Sequence, residues 1–128
     1  MVLPQRFRLM LLGAASGLAM SAAHANDIVS SSGINTTIAT TANSRTITQT
    51  GARAVINWTS LDVASGHTLT FVQPNASSIV LNRVIGSPVV GSANVIARSQ
   101  IDGTISANGQ VWILNPKGIV VGSTGSIN

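Results

Sequence analysis

The sequence predicts an all-β protein, on three observations. The 128 residues include 13 Ile, 13 Val, 16 Ser, 12 Thr and 10 Asn. β-Branched apolar residues mixed with short uncharged polar ones fit strands and turns, and suit helices poorly. Beyond residue 25 the apolar residues fall in short runs bounded by Gly, Pro, Asn or Ser, and no window sustains a helical apolar period. Finally, Asp102-Gly-Thr-Ile-Ser106 returns in kind as Thr124-Gly-Ser-Ile-Asn128, with Ile105 and Ile127 22 residues apart. A period of that size, made of short strands and glycine turns, suits a coiled β-solenoid whose stacked coils bury Ile and Val. A β-sandwich also brings strands at about 8–12-residue intervals, and the periodicity leaves both architectures open.

The first 25 residues form an address. Arg6 and Arg8 precede an apolar run from Leu9 to Met20, and Ala23-His24-Ala25 supplies an A-x-A cleavage site. That order is a secretory signal peptide. The run is shorter than the roughly 20 apolar residues a membrane span needs. Residues 26–128 are then the mature chain. Its start, residues 26–44, is Ser/Thr/Asn-rich and reads as an irregular leader or a cap of short strands.

Nine strands follow by length and bounding residues: Arg45–Gln49, Ala54–Trp58, Thr68–Val72, Ser78–Leu81, Asn94–Ala97, Gly103–Ser106, Gln110–Leu114, Gly118–Val121 and Gly125–Asn128. The alternation in Thr68-Leu69-Thr70-Phe71 marks a half-buried strand. Two proline turns separate strands, Gln73-Pro74-Asn75-Ala76 and Asn115-Pro116-Lys117-Gly118. In the second, Asn suits position i of a type I turn, Pro fixes φ at i+1 and Gly suits i+3. Proline lacks the N–H of a central ladder, so both sites belong at corners. Gly118 is expected where a side chain would crowd the following strand.

Composition excludes several functions. The chain has no Cys, so a disulfide scaffold, a thiol nucleophile and a Cys-based zinc site are impossible. With 45% hydrophobic and 8% charged residues, it has the composition of a folding chain. Loss of Arg6 and Arg8 with the leader leaves five scattered bases, Arg45, Arg53, Arg83, Arg98 and Lys117, against Asp27, Asp62 and Asp102. A nucleic-acid binder shows a clustered basic face with stacking aromatics, so no nucleic-acid partner is expected.

Three blocks carry a resemblance. They are Ala54-Val-Ile-Asn-Trp-Thr-Ser-Leu-Asp-Val63, the stretch Phe71-Val-Gln-Pro-Asn-Ala-Ser-Ser-Ile-Val-Leu-Asn-Arg-Val-Ile-Gly86, and Ala107-Asn-Gly-Gln-Val-Trp-Ile-Leu-Asn-Pro-Lys-Gly-Ile-Val-Val-Gly122. In this order they resemble the two-partner secretion domain, the amino-terminal haemagglutination-activity domain of filamentous haemagglutinin-like exoproteins, and most of all its high-molecular-weight adhesin branch. The likeness spans most of residues 36–128. It implies a right-handed parallel β-helix with an amino-terminal cap, no enzymatic activity and no cofactor. It also implies export from a Gram-negative bacterium through a dedicated outer-membrane transporter with periplasmic POTRA domains. The family usually reads Asn-Pro-Asn-Gly where this chain has Asn115-Pro116-Lys117-Gly118. Family domains are longer, so the chain is expected to be the amino-terminal part of a larger, truncated or partial protein.

The resemblance assigns transporter recognition to Gln73, Pro74 and Asn75 and to Asn115, Pro116, Lys117 and Gly118. Strand addition to the POTRA domains is expected from the segments holding Leu69 and Phe71 and holding Val111 and Ile113. The rival reading is a stand-alone secreted β-protein that binds a carbohydrate or a host-cell surface, with Trp58 and Trp112 stacking on sugar rings. Both tryptophans lie inside apolar runs and are expected to pack in the core or at a stack end. A Ser65/His67/Asp62 set can be written down, but no nucleophile elbow accompanies it, and His67 reads as an exposed turn residue. No Asp-x-Asp spacing suggests a calcium site. The sequons at Asn35, Asn57 and Asn75 follow from composition.

Overall fold

The computed structural model describes residues 26–89 and 91–128, so the leader assigned to residues 1–25 lies outside the described residues. Thirteen strands and no helix occur among them. Two short strands open the chain, β1 (Ile28–Ser32) and β2 (Ala39–Thr40). A first coil follows, with β3 (Ser44–Thr48), β4 (Arg53–Trp58) and an isolated bridge at Val63. The second coil holds β5 (Thr68–Val72), β6 (Ile79–Val84), a hairpin of β7 (Ser87–Val89) and β8 (Ser92–Val95), and β9 (Ser99–Ile101). The third holds β10 (Thr104–Ala107), β11 (Gln110–Leu114) and β12 (Ile119–Val121), and β13 (Ser126–Ile127) begins the next turn.

Equivalent strands of successive coils pair in parallel and build three sheets. Sheet I has the order β2-β3-β5-β10-β13, and sheet II has the order β1-β4-β6-β11. Sheet III joins β9 to β12, and Val63 bridges to Ile101 beside it. This is a β-solenoid, and it decides against the sandwich. The repeat read from the sequence is its stacking register, because Ile105 stands opposite Ile127. One element differs from expectation. The Asn94–Ala97 run is not a coil strand; its first half belongs to the β7–β8 hairpin, which stands outside the three sheets. That insertion puts Thr104 36 residues beyond its partner Thr68, although Ser126 lies only 22 beyond Thr104.

Alternation along each strand sends one row of side chains into the coil. The inward columns are Ile47–Phe71–Ala107, Ala54–Val80–Val111 and Val63–Ile101–Val121. The first two members of each are buried at 5% exposure or less. Fully burying such a side chain stabilises the fold by about 1.5–3 kcal/mol. Asn82 interrupts the column Ile56–Asn82–Ile113 yet is fully buried. Its Oδ1 accepts from Trp58 Nε1 at 3.0 Å and its Nδ2 donates to Trp112 O at 3.3 Å, so one amide ties three coils. Both partners satisfy polar groups that would otherwise be costly to bury.

The cap differs in direction. β1 runs antiparallel to β4, and β2 antiparallel to β3, so the segment that reads as a leader closes one end of the stack. Asn26 anchors it. The Asn26 N–H donates to Ser60 Oγ at 2.8 Å, its Nδ2 donates to Asp62 O at 3.0 Å, and its Oδ1 accepts from Asp62 N at 2.8 Å. Arg45 takes the inward position opposite Leu69. Its Nη1 donates to Asn26 O at 2.7 Å and its guanidinium lies 5.4 Å from the Trp58 ring centroid. A cation over an indole face is attracted by the ring quadrupole, so the cap, the first coil and Trp58 hold one another.

Candidate functional site

The two proline-bearing segments lie at two corners that frame sheet II. The first, leaving β5 and entering β6, turns one step later than its sequence suggests. Ser78 N donates to Asn75 O at 3.1 Å, so the turn runs from Asn75 to Ser78. Pro74 and Asn75 are exposed, whereas Gln73 is buried at 4% exposure. Gln73 is a lacing residue. Its Nε2 donates to Gln49 Oε1 at 3.0 Å and lies 3.2 Å from both Ser78 O and Gln110 O. Its backbone exchanges hydrogen bonds with the Asn108 amide, at 2.7 and 2.8 Å. Buried amides thus satisfy the corner carbonyls where the strands stop doing so. Asn75 Oδ1 accepts from Ser77 N at 3.0 Å and from Ser77 Oγ at 2.7 Å, which makes the Asn75 sequon an Asx turn.

The second corner leaves β11 and enters β12. Gly118 N donates to Asn115 O at 2.9 Å, closing the turn expected from the sequence. Asn115 is 8% exposed. Its Oδ1 accepts from Lys117 N at 2.9 Å, and its Nδ2 donates to Ala97 O at 2.9 Å and to Ser99 Oγ at 3.0 Å. Asn115 therefore pins the corner to the coil before it. The crowding expected at Gly118 is absent, since a Cβ there would meet nothing within 4 Å. Glycine is required instead by a φ of +100°, a left-handed conformation that side chains disfavour. Pro116 and Lys117 project outward.

The corners are not brought together. One opens the strands of sheet II and the other ends them, so they stand roughly 17 Å apart, the length of a five-residue strand. The strand-addition segments also differ. β5 is paired on both edges, to β3 and β10, with Leu69 and Phe71 in the core. β11 pairs only with β6 among the described residues, and Val111 and Ile113 are partly buried against the core. Its outward residue, Trp112, is 56% exposed. Core packing thus holds for Trp58 and fails for Trp112, because Trp112 falls on the outward phase of the alternation. Sequence reasoning missed the buried amides of Gln49 and Asn82 and the exposed Asn108, whose lacing roles show no local pattern.

The Ser65/His67/Asp62 set is not assembled. His67 is exposed and its Nδ1 lies 3.2 Å from Ser65 O, not from the hydroxyl. Asp62 Oδ1 accepts from Gln100 N at 2.8 Å. Among the described residues no group of three His, Cys, Asp or Glu could hold a metal ion.

Comparison with known proteins adds three findings. A family model described as the TPS secretion domain matches residues 25–128. Two heme/hemopexin-binding proteins of Haemophilus influenzae are similar to the chain, at 39% identity over 89 residues and 36% over 91. Those matches take in 70% and 71% of this chain but only 9% of each relative. The crystal structure of the HMW1 secretion domain from Haemophilus influenzae is similar with a TM-score of 0.58 and 30% identity, over 75% of this chain and 22% of that one.

Proposed function

The chain belongs to the TPS secretion domain family, and from that premise we propose that it is the secretion-targeting and folding-nucleation module of an adhesin-like exoprotein. Residues 1–25 act as the signal peptide, and residues 26–128 form the amino-terminal part of the secretion domain. The module reaches the periplasm with its coils open and is read there by the POTRA domains of an outer-membrane transporter. β5 offers its backbone to strand addition only before the coils close, since both its edges are paired afterwards. Backbone pairing gives affinity and the alternate side chains give register.

The observation that carries the nucleation role is the asymmetry of the stack. Antiparallel strands cover the first coil. Successive coils then add by parallel pairing in the direction away from that cap. Each Val, Ile or Leu buried outside the cell contributes about 1.5–3 kcal/mol, which favours export without a nucleotide.

The second corner supplies the test. Replacing Asn115 and Pro116 together with Ala should lower surface export of the parent protein about tenfold, the effect of roughly 1.4 kcal/mol at the recognition step. Periplasmic levels of the protein should be unchanged. Unaltered export would leave this corner as a turn and nothing more. Lys117→Asn should export normally, because only the Lys117 backbone takes part in the corner. A sharp loss would show that the transporter reads the lysine.

A further inference from the structure

We propose that the outer face of sheet II is a binding site for an anionic oligosaccharide, seated on Trp112 and held by Arg83. The register of β4, β6 and β11 sets three outward rows on this face: Arg53–Ile79–Gln110, Val55–Leu81–Trp112 and Asn57–Arg83–Leu114. The outward rows of sheet I are Ser44–Thr68–Thr104–Ser126 and Thr46–Thr70–Ser106, short hydroxyls, and Thr48–Val72, with Val72 44% exposed. Sheet II thus carries an exposed indole, two guanidiniums and two amides, where sheet I carries hydroxyls and one exposed valine.

The guanidinium is positioned. Arg83 Nε donates to Asn57 Oδ1 at 2.9 Å, and Asn57 Nδ2 donates to Ser30 Oγ at 2.7 Å. Among the described residues, no carboxylate pairs with Arg83. A shallow depression of about 330 Å³ lies beside it, with Ser30, Ser32 and Val55 in its wall. Neighbouring strands are about 4.8 Å apart, so the depression and Trp112, two strands away, are separated by about the length of a disaccharide.

Charge selects among sugars. Asp62 and Asp102 both hydrogen-bond Gln100 on the side of sheet III, and Asp27 precedes β1, beyond the third row. The face of sheet II therefore carries Arg53 and Arg83 with no acid among its three rows. An indole accepts the apolar face of a pyranose ring. A guanidinium fork matches a carboxylate or a sulfate ester, and Asn57, Gln110 and the β1 serines suit ring hydroxyls. The middle row, Val55–Leu81–Trp112, is apolar, and the guanidiniums of Arg53 and Arg83 on either side of it select an anionic ligand for that apolar platform. The proposal rests on this face alone and is independent of the transporter reading.

The test is isothermal titration of the full chain with a heparin tetrasaccharide, with tetragalacturonate, and with neutral cellotetraose. Saturable binding of at least one acidic probe is expected, with none for the neutral one. Trp112→Ala and Arg83→Gln should each weaken binding about tenfold, in the range of interface anchor residues. Arg98→Gln, which removes an exposed charge away from this face, should change it less than twofold. Thermal melts check that each variant folds. Absence of saturable binding by both acidic probes overturns the proposal. So does equal loss in Arg83→Gln and Arg98→Gln, which would mark attraction to net charge. Unweakened sugar binding by Trp112→Ala also overturns it. Loss of export in Trp112→Ala and Arg83→Gln, with no sugar binding by the parent, would give the face to the transporter instead.

Discussion

Gly103→Ala is expected to destabilise the fold by about 3 kcal/mol or more, the upper part of the range for overpacking. A Cβ at Gly103 would fall inside van der Waals distance of the carbonyl oxygens of both Ala64 and His67. Those carbonyls belong to the preceding coil, and His67 O already accepts from Thr104 N at 2.9 Å. Neither can retreat without opening the ladder between β5 and β10. Gly125 repeats the arrangement one coil later, where a Cβ would strike Ile101 O. For a domain of this size, 3 kcal/mol lowers the melting temperature by about 12–24 °C. Thermal melting of the parent chain and of Gly103→Ala checks it; a shift of only a few degrees would show that the coils slide apart easily.

Trp58→Ala should have the second large effect, about 3–5 kcal/mol. The side chain is fully buried. Its removal leaves a cavity under Arg45, strips Asn82 Oδ1 of its donor and takes away the indole on which the cap's guanidinium rests. Trp58→Phe separates these contributions. It keeps most of the apolar volume but leaves Asn82 Oδ1 without its donor, and should cost about 1–3 kcal/mol. Urea unfolding of the three proteins would decide. Equal losses in the two variants would mean that the hydrogen bond, not the packing, dominates.

How much of this was legible in the residues depends on whether a contact leaves a periodic trace. The Gly103/Gly125 and Ile105/Ile127 spacing was readable because an uninterrupted coil repeats both its corner glycine and its inward isoleucine. The coil before it was not readable as a coil. The β7–β8 hairpin stretches its length while leaving the ladder register intact on either side. The Asn115 corner was legible because proline fixes φ and glycine permits a positive φ, and both are local signals. The lacing by Gln49 and Gln73 was not, since a buried glutamine and a surface glutamine are the same letter and only the stacked carbonyls distinguish them. Trp112 was misjudged because an apolar run says that a strand is present without saying which phase faces inward. Arg45 defeats hydropathy in the opposite sense, as a charge placed in an apolar column under an antiparallel cap.

The anchoring of Asn26 has a consequence for proteolytic processing. Asn26 is the one non-glycine residue with a positive φ among the described residues, at 59°. That torsion is defined by the carbonyl carbon of the residue before it, so it exists only while the bond to Ala25 is intact. Cutting that bond abolishes the torsion and any preference against it. The same cut turns an amide with one hydrogen into an ammonium with three, 2.8 Å from Ser60 Oγ. Removal of a leader at this bond would therefore give Ser60 a charged donor and at the same time set a second positive charge beside the Arg45 guanidinium, so that the knot of Asn26, Arg45, Ser60 and Asp62 would respond to the state of the chain's amino end.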